Sequence, residues 1–196
     1  MFSKQDIVQA MRKYSAMKVS SPSGTEDCLC DKAHYHCYDH FYPDLLEKYL
    51  NRENLNILEI GAYYGGSVLL WEELFPGATI YAVDWNFDNL KVDLNRDNIK
   101  KIKMSQTDPA LKSLLKDVKF DIIIDDASHR AEDQIASFNL FSELLNDGGV
   151  YVIEDVYPEH ISNNKYPAAF LSNFEHVDLS SIKGRGDDRL FVFRRN

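Results

Sequence analysis

The chain has 196 residues, of which 44% are apolar and 12% aromatic, enough to bury a hydrophobic core, and this composition excludes a disordered or fibrous protein. Its formal net charge of -9 excludes the basic face that a nucleic-acid binder or an anionic-membrane binder needs. We therefore expect one soluble domain over residues 1–196, with neither nucleic acid nor a membrane among its partners.

The first 54 residues are predicted to form short N-terminal helices and a loop. Residues 3–18 place Ile7, Met11 and Tyr14 at helical spacing, which indicates an amphipathic helix. Because this segment is charged throughout, we expect neither a signal peptide nor a membrane anchor. The three cysteines, an odd number clustered in one short stretch, favour a reducing, cytoplasmic location. Residues 19–32 are rich in Ser, Pro, Gly and Asp and predict a loop, and a second helix is expected over residues 42–50.

From residue 55 onward, short apolar runs alternate with helical patterns, which is typical of βαβ units and a parallel sheet. The last crossover helix should end at Gly148-Gly149, and its predicted buried face carries Ile135, Phe138, Phe141 and Leu145. Segments 174–181 and 189–195, joined by the turn-prone KGRGDD, predict a closing antiparallel hairpin. The five apolar runs are 55–60, 79–84, 101–105, 120–125 and 150–155. The sequence therefore predicts a doubly wound, mostly parallel α/β sheet of seven strands.

The turn after the first predicted strand is a candidate cofactor site, because ligands of open α/β sheets bind outside the carboxyl ends of the strands. Its spacing, E-x-G-x-x-x-G, differs from the G-x-G-x-x-G that holds a dinucleotide pyrophosphate. A ligand with a ribose and an amino-acid tail, such as S-adenosylmethionine, fits better, and Asp84 at the second strand end can accept hydrogen bonds from both ribose hydroxyls. The alternative is a glycine turn that only packs. The candidate residues of the turn are Glu59, Gly61, Gly65 and Ser67.

Pairs of adjacent acids end two later strands, Asp125-Asp126 and Glu154-Asp155. Four carboxylates at one rim repel one another unless a divalent cation neutralises them, and oxygen ligands suit Mg²⁺ or Mn²⁺. Helix capping is the alternative use of such acids. His129, three residues beyond Asp126, is a candidate for taking a proton near neutral pH.

Three cysteines and three histidines fall within thirteen positions of the N-terminal loop. Structural zinc sites combine two ligand pairs, whereas this segment has a single C-x-C and no partner pair elsewhere. A loop with incidental thiols is therefore favoured over a zinc site or a reactive thiol. The six residues are Cys28, Cys30, His34, His36, Cys37 and His40.

Three separated motifs together resemble the metal-dependent sugar O-methyltransferases of the macrocin and mycinamicin type, with their cephalosporin hydroxylase-like relatives. They are EIGAYYGGSVLLWEELFPGATIYAVD, DDASH and VIEDVY, within a resemblance that covers roughly residues 25–160. The resemblance implies a Rossmann-like methyltransferase core over residues 55–196, the cofactors S-adenosylmethionine and Mg²⁺ (or Mn²⁺), and a small-molecule or glycan acceptor. It assigns the metal to Asp126, Glu154 and Asp155, and the general base to His129.

The resemblance extends to two further segments. Gln106 and Asp108 match a segment that lies against the cofactor, although Asp108 followed by proline is also a good helix start. Asp125 is expected beside the metal ligands or the cofactor. The pattern Asp31-Lys32, followed by His36 and Tyr38, loosely matches a loop that borders the active site of this family. We interpret this segment as a lid or as a segment that contacts the acceptor.

The leading hypothesis is an O-methyltransferase that acts on a sugar hydroxyl. A catechol-type O-methyltransferase is the enzymatic alternative, since a vicinal aromatic diol also chelates a metal, and an aromatic-walled acceptor pocket would favour it over a polar-walled one. A cofactor-binding scaffold without activity is the alternative from another class. A nicotinamide-dependent oxidoreductase is disfavoured by the glycine spacing, and homo-oligomer formation is left open.

Overall fold

The N-terminal region of the computed structural model, which describes residues 1–196, packs helices and a small hairpin against the main sheet. Helix α1 (Lys4–Ala16) buries the predicted Ile7, Met11 and Tyr14. Strands β1 (Lys18–Ser20) and β2 (Glu26–Cys28) pair antiparallel, so the segment predicted as a plain loop contains a short hairpin. Helix α2 (Tyr42–Leu46) is shorter than predicted, because residues 47–49 tighten into a 3-10 turn.

The main sheet has seven strands, as predicted. Its strands are β3 (Asn56–Ile60), β4 (Thr79–Asp84), β5 (Ile99–Lys103), β6 (Phe120–Asp125), β7 (Leu145–Ile153), β8 (Glu175–Asp178) and β9 (Arg189–Arg194). The spatial order is β5-β4-β3-β6-β7-β9-β8; the first five strands are parallel, and β9 runs antiparallel to both of its neighbours. The predicted closing hairpin is therefore present at one edge of the sheet.

Helices cover both faces of the sheet. They are α3 (Gly66–Leu74), α4 (Pro109–Leu115), α5 (Ala131–Phe141), α6 (Pro158–Ser162), α7 (Ala168–Leu171) and α8 (Ser180–Lys183). Ile122 and Ile124 of β6 belong to a 34-residue core cluster on one face, while Ile123 belongs to a 19-residue cluster on the other. This explains the unbroken apolar run, since a parallel strand is buried on both faces. None of the helices combines the length and apolar character that crossing a bilayer requires.

The prediction for the last crossover was wrong in its boundary. Helix α5 ends at Phe141, and strand β7 already begins at Leu145, which pairs with Phe120. Leu145 is therefore a strand residue, and Gly148-Gly149 lie within β7 instead of ending the helix. The third parallel strand likewise begins earlier than predicted, at Ile99, because it pairs with Ile80 of β4.

Candidate functional site

A cleft of about 490 Å³ opens at the carboxyl ends of the parallel strands. Strand β3 lies in the middle of the parallel strands, between β4 and β6. The chain adds β4 and β5 on one side of β3 and then returns to add β6 and β7 on the other side, so the strand order reverses beside β3. Ligands of open α/β sheets bind at such a switch point. The cleft has the size of a small-molecule site, and its walls include residues of the glycine turn, Asp84, Asp126 and His129.

The glycine turn is shaped by close backbone contacts. Gly61 has φ +100°, and a Cβ atom placed on it would lie 2.1 Å from the backbone oxygen of Asp126. Gly65, at φ +85°, is the residue before helix α3, and a Cβ on Gly66 would lie 2.3 Å from the backbone oxygen of Leu29. Gly61 and Gly65 adopt the left-handed region, and Gly61 and Gly66 permit backbone contacts that a side chain would block. The turn therefore joins β3, β6 and the N-terminal loop.

Asp84 holds the glycine turn from the neighbouring strand end. Its Oδ2 accepts hydrogen bonds from the backbone N–H groups of Ala62 at 3.0 Å and Tyr63 at 2.9 Å, and its Oδ1 accepts one from Asn86 at 3.1 Å. The carboxylate also lines the cleft. Each oxygen retains lone-pair capacity toward a ligand, because a carboxylate has about four acceptor sites.

Glu59 lies beneath the turn and not on the cleft wall. The residue is fully buried, and neither carboxylate oxygen has a hydrogen-bond partner. Burial raises the pKa of Glu59 to about 7, although the charge of Lys32 acts in the opposite direction. Ser67, by contrast, lines the cleft at the start of α3. The cofactor-binding role of Glu59 stays a prediction.

Gln106 and Asp108, predicted on one segment, have different surroundings. Gln106 lines the cleft; its amide nitrogen donates to Ser137 at 3.1 Å, and its oxygen accepts from the backbone N–H of Ser128 at 3.2 Å. Asp108 instead accepts the backbone N–H of Ala110 at 2.8 Å and is the N-cap of α4. It is not among the residues of the cleft wall, so the structure places it in the helix-start role that the sequence left as the alternative.

Asp125 is a fully buried acid at the end of β6. Its carboxylate accepts hydrogen bonds from the Tyr151 hydroxyl at 3.3 Å and the Gln106 amide at 3.5 Å. Burial raises the pKa of Asp125 to about 8, so the folded protein keeps its proton at neutral pH. Asp125 therefore lies behind the cleft as a neutral acid.

This burial predicts a pH dependence of stability. Between about pH 4 and pH 8 the unfolded chain loses the Asp125 proton while the folded chain keeps it, so the free energy of unfolding should fall as the pH rises through this window. Asp125→Asn retains a neutral acceptor that does not titrate. The total loss of unfolding free energy over this window should therefore be smaller by a few kcal/mol, because each unit of pKa difference contributes about 1.4 kcal/mol. Urea unfolding between pH 5 and pH 8 measures the slope. Asp147→Asn, at an exposed position, is the control, and equal slopes for both variants would contradict the prediction.

Three of the predicted residues meet at the acidic rim of the cleft. Asp126, His129 and Asp155 each offer one ligand atom, and these atoms lie within 4.8 Å of one another. His129 and Asp155 also have positive φ angles, 55° and 54°, which non-glycine residues rarely adopt. Such backbone strain concentrates at functional sites. The rim therefore combines candidate metal ligands with a histidine held in an unusual conformation.

Glu154 does not join this group. It is buried, and both of its oxygens are engaged: Oε1 by the Tyr42 hydroxyl and Oε2 by the Lys32 ammonium. Lys32 also donates to Asp126 Oδ2 at 2.6 Å. Burial lowers the pKa of Lys32, but the charges of Asp126 and Glu154 outweigh it and hold the pKa above its usual value. Tyr42 was not predicted to take part, because nothing in its local pattern distinguishes it from a packing residue.

A buried histidine supports Asp155 from the other side. His36 Nε2 lies 3.3 Å from Asp155 Oδ2, and its Nδ1 lies 2.7 Å from Asp188 Oδ1. Burial would lower the pKa of His36, but the hydrogen bonds and charges of Asp155, Asp31 and Asp188 raise it to about 9. Burial likewise would raise the pKa of Asp155, but His36 and His129 hold it below its ordinary value. Sequence reasoning missed Asp188, which lies in the hairpin turn 183–188.

The N-terminal loop is an inner layer of the site. Lys32, His36 and Tyr38 are buried, and the Tyr38 hydroxyl donates to Asp155 Oδ1. The part of the loop that borders the cleft is 27–31. No group of potential ligand atoms includes a cysteine; Cys37 instead faces Asp188 at 3.2 Å. The structure therefore uses this segment to brace the rim, and the lid hypothesis does not describe its buried residues.

Comparisons with known proteins were made for sequence and structure. Residues 51–185 match the family model described as a methyltransferase domain. One similar curated protein is the 8-demethyl-8-(2-methoxy-alpha-L-rhamnosyl)-tetracenomycin-C 3'-O-methyltransferase of Streptomyces olivaceus, 34% identical over 130 residues, which are 60% of this chain and 33% of that protein. Another is the mycinamicin VI 2''-O-methyltransferase of Micromonospora griseorubida, 33% identical over 129 residues, which are 61% of this chain and 30% of that protein. The chain spans about a third of the length of these relatives.

The fold also matches solved structures. The MycE methyltransferase from the mycinamycin biosynthetic pathway, in complex with Mg, SAH and mycinamycin VI, superposes with a TM-score of 0.67 at 23% identity. The match covers 97% of this chain and 55% of that one. The predicted Rossmann-like methyltransferase fold is thereby confirmed.

Proposed function

This chain belongs to the methyltransferase-domain family, and we propose that it is an S-adenosylmethionine- and divalent-metal-dependent O-methyltransferase that acts on a sugar hydroxyl. One observation carries the proposal: residues of the glycine turn, Asp84, Asp126 and His129 all line a single cleft. A cofactor site and an acidic rim thus open into the same space. The two relatives named above are a rhamnosyl-tetracenomycin-C 3'-O-methyltransferase and a mycinamicin VI 2''-O-methyltransferase, which supports a glycosylated acceptor.

The cofactor side of the cleft fits S-adenosylmethionine. Gly61 lines the cleft, and the Asp84 carboxylate, which also lines it, can accept hydrogen bonds from ribose hydroxyls. The cofactor brings an already activated methyl group, so the protein's task is to align the acceptor and exclude water. Tyr63, Tyr64 and Trp85 give this part of the cleft aromatic surface.

The acidic rim fits a divalent cation. Asp126, His129 and Asp155 converge within 4.8 Å, and carboxylate oxygens are donors that Mg²⁺ and Mn²⁺ accept. A bound cation would stabilise the negative charge that develops on the acceptor oxygen. Asp126 and Asp155 are the residues that we assign to hold it.

His129 is the residue that we assign to take the acceptor proton. It lines the cleft; its Nδ1 has no hydrogen-bond partner, and its Nε2 lies 4.0 Å from Asp155 Oδ2. Neither ring nitrogen is therefore committed to holding the fold together. A histidine placed beside carboxylates can accept a proton near neutral pH.

The cleft wall near the rim favours a sugar over a catechol. The lining residues of the acidic segments are mostly polar, and the aromatic residues of the lining, Tyr63, Tyr64 and Trp85, follow the ends of β3 and β4 in the chain. A catechol ring would need apolar walls around the metal, whereas sugar hydroxyls need hydrogen-bond partners. The polar residues are Asp31, Asp126, Ser128, His129 and Asp133.

Calorimetric titration tests the cofactor proposal. S-adenosylhomocysteine, titrated into metal-free protein and again with Mg²⁺ present, should bind at one site per chain. Asp84→Asn should weaken binding by about tenfold or more, because hydrogen bonds to a charged acceptor contribute about 1.5–3 kcal/mol. Asp88→Asn, at an exposed position after the same strand, is the matched control. Absence of binding under both conditions would overturn the proposal and favour a scaffold.

A further inference from the structure

A buried imidazole connects the hairpin turn 183–188 with the acidic rim. His36 Nδ1 lies 2.7 Å from Asp188 Oδ1, and His36 Nε2 lies 3.3 Å from Asp155 Oδ2. The side chains of His36 and Asp188 have exposed fractions of 2% and 0%. Asp31 Oδ2 also faces Nε2, but at 4.0 Å it is beyond hydrogen-bond distance. His36 therefore lies between a carboxylate of the C-terminal hairpin and a carboxylate of the rim.

The Asp188 side chain contacts the N-terminal loop and not its own turn. Its Oδ1 faces the His36 imidazole, and its Oδ2 accepts a hydrogen bond from the Cys37 thiol at 3.2 Å. It makes no hydrogen bond to the backbone of the hairpin, and Arg185 Nε lies 3.7 Å from Oδ1. Asp178, on the same hairpin, instead accepts a backbone N–H two residues further on, at 2.9 Å, which is the usual contact of an acid in a turn. Both hydrogen-bond partners of Asp188 therefore belong to the N-terminal loop.

The same turn also fixes the backbone that carries His36. Lys183 Nζ donates to three backbone oxygens of the loop, those of Ala33 at 2.5 Å, His34 at 3.0 Å and His36 at 2.6 Å. The His36 ring stacks on the Tyr38 ring, with centroids 4.9 Å apart and planes 10° apart. Because both its backbone and its ring are restrained, His36 can transmit the position of Asp188 to the rim.

Asp155 is the rim residue that this arrangement holds. Its φ of 54° is one that a non-glycine residue keeps only where the surrounding contacts enforce it. The Tyr38 hydroxyl donates to Asp155 Oδ1 and accepts the Asp155 backbone N–H at 3.2 Å, while His36 faces Oδ2. Asp155 is buried and does not itself line the cleft, but its ligand atom lies within 4.8 Å of those of Asp126 and His129, which do line it. Loss of the His36 contact would therefore release one side of a carboxylate on which the rim depends.

We propose that Asp188 is a positioning residue of the acidic rim, which acts through His36 to hold the Asp155 carboxylate beside Asp126 and His129. Asp188 does not line the cleft, so its effect on the site passes through the imidazole. His36 and Asp188 both lie outside residues 51–185, the part of the chain that matches the family model. The inference rests on the proposed function, because it concerns the rim that is assigned there to a divalent cation.

Mn²⁺ binding tests the inference without any acceptor. The full chain is titrated with MnCl₂, and the electron paramagnetic resonance signal of free Mn²⁺ gives the affinity. Asp188→Asn should weaken Mn²⁺ binding by about tenfold or more, the usual effect of losing a residue that orients a metal ligand. Asp178→Asn is the matched control, because this exposed acid of the same hairpin pairs with Arg189, and it should leave the affinity unchanged. Unchanged Mn²⁺ affinity in Asp188→Asn, even with a lower Tm, would overturn the inference.

A double-variant cycle tests the route through His36. In the His36→Gln background, Asp188→Asn should weaken Mn²⁺ binding by much less than it does in the unmodified chain, because the side chain through which it acts is gone. Equal losses in the two backgrounds would overturn the route. If Asp188→Asn does not fold, His36→Gln alone takes its place, and an affinity equal to that of the unmodified chain would again contradict the inference.

Amide spectra of the nitrogen-15-labelled full chain in EDTA separate this inference from the proposed function. Asp188→Asn should shift the Asp155 amide signal, because that N–H donates to the Tyr38 hydroxyl beside His36, whereas Asp178→Asn should leave it in place. An unmoved Asp155 signal in Asp188→Asn would overturn the positioning role. Absence of Mn²⁺ binding by the unmodified chain would instead overturn the metal dependence of the proposed function, while the spectra would still decide whether Asp188 positions Asp155.

Discussion

Replacing His129 with alanine should lower kcat for methyl transfer by about 10²- to 10⁴-fold, the usual contribution of a general base. The reason is geometric: the imidazole lines the cleft beside Asp126 and Asp155, and its Nδ1 has no structural partner. Cofactor affinity should be unchanged, because Asp84 is hydrogen-bonded to the glycine turn and to Asn86 and not to the imidazole. Transfer of a radiolabelled methyl group to a deoxysugar glycoside measures kcat, and calorimetry with S-adenosylhomocysteine measures the affinity.

His40→Ala is the matched control, since His40 is exposed and outside the cleft. Added imidazole should restore part of the activity of His129→Ala and none of the activity lost in a misfolded protein. Full activity of His129→Ala would remove the general-base assignment.

Replacing Gly61 with alanine should lower the free energy of unfolding by about 4 kcal/mol or more, in the exceptional range for single substitutions. Two effects combine at this position. A φ of +100° disfavours any side chain, and the added Cβ would lie 2.1 Å from the backbone oxygen of Asp126. Because this contact holds the first turn against the end of β6, relief of the clash must move Asp126 or the turn. Chemical unfolding gives the stability, and calorimetry should show loss of S-adenosylhomocysteine binding.

Gly148→Ala separates the two effects. Gly148 has a comparable φ of +74°, but a Cβ there would meet nothing within 4 Å. This variant should therefore carry only the backbone strain, on the order of 1–2 kcal/mol. The difference between the two variants measures the cost of the close approach. Equal stabilities would show that the contact between Gly61 and Asp126 yields easily.

The parallel strands could be predicted because their signals are local. Each apolar run had to be buried on both faces, as Ile122, Ile123 and Ile124 are, and the intervening helices carry a regular apolar spacing. The boundary of β7 could not be predicted in the same way. Gly148 and Gly149 have the local features of a helix stop, but the pairing of Leu145 with Phe120 extends the strand across them. A long-range pair decided between two conformations that the local sequence permits.

The same distinction between local signals and long-range contacts applies to the candidate site. By itself, the sequence determined that Gly61, Asp84, Asp126 and Asp155 follow strand ends, and parallel strands deliver such residues to one edge of the sheet. Only the tertiary structure decided which of the acids converge. Asp126 lines the cleft and converges with Asp155 and His129, whereas Glu154, adjacent in sequence to Asp155, points to Lys32 and Tyr42. Successive residues at a strand end project in different directions, and the partner that engages each one comes from a segment about a hundred residues away, so local spacing holds no record of it.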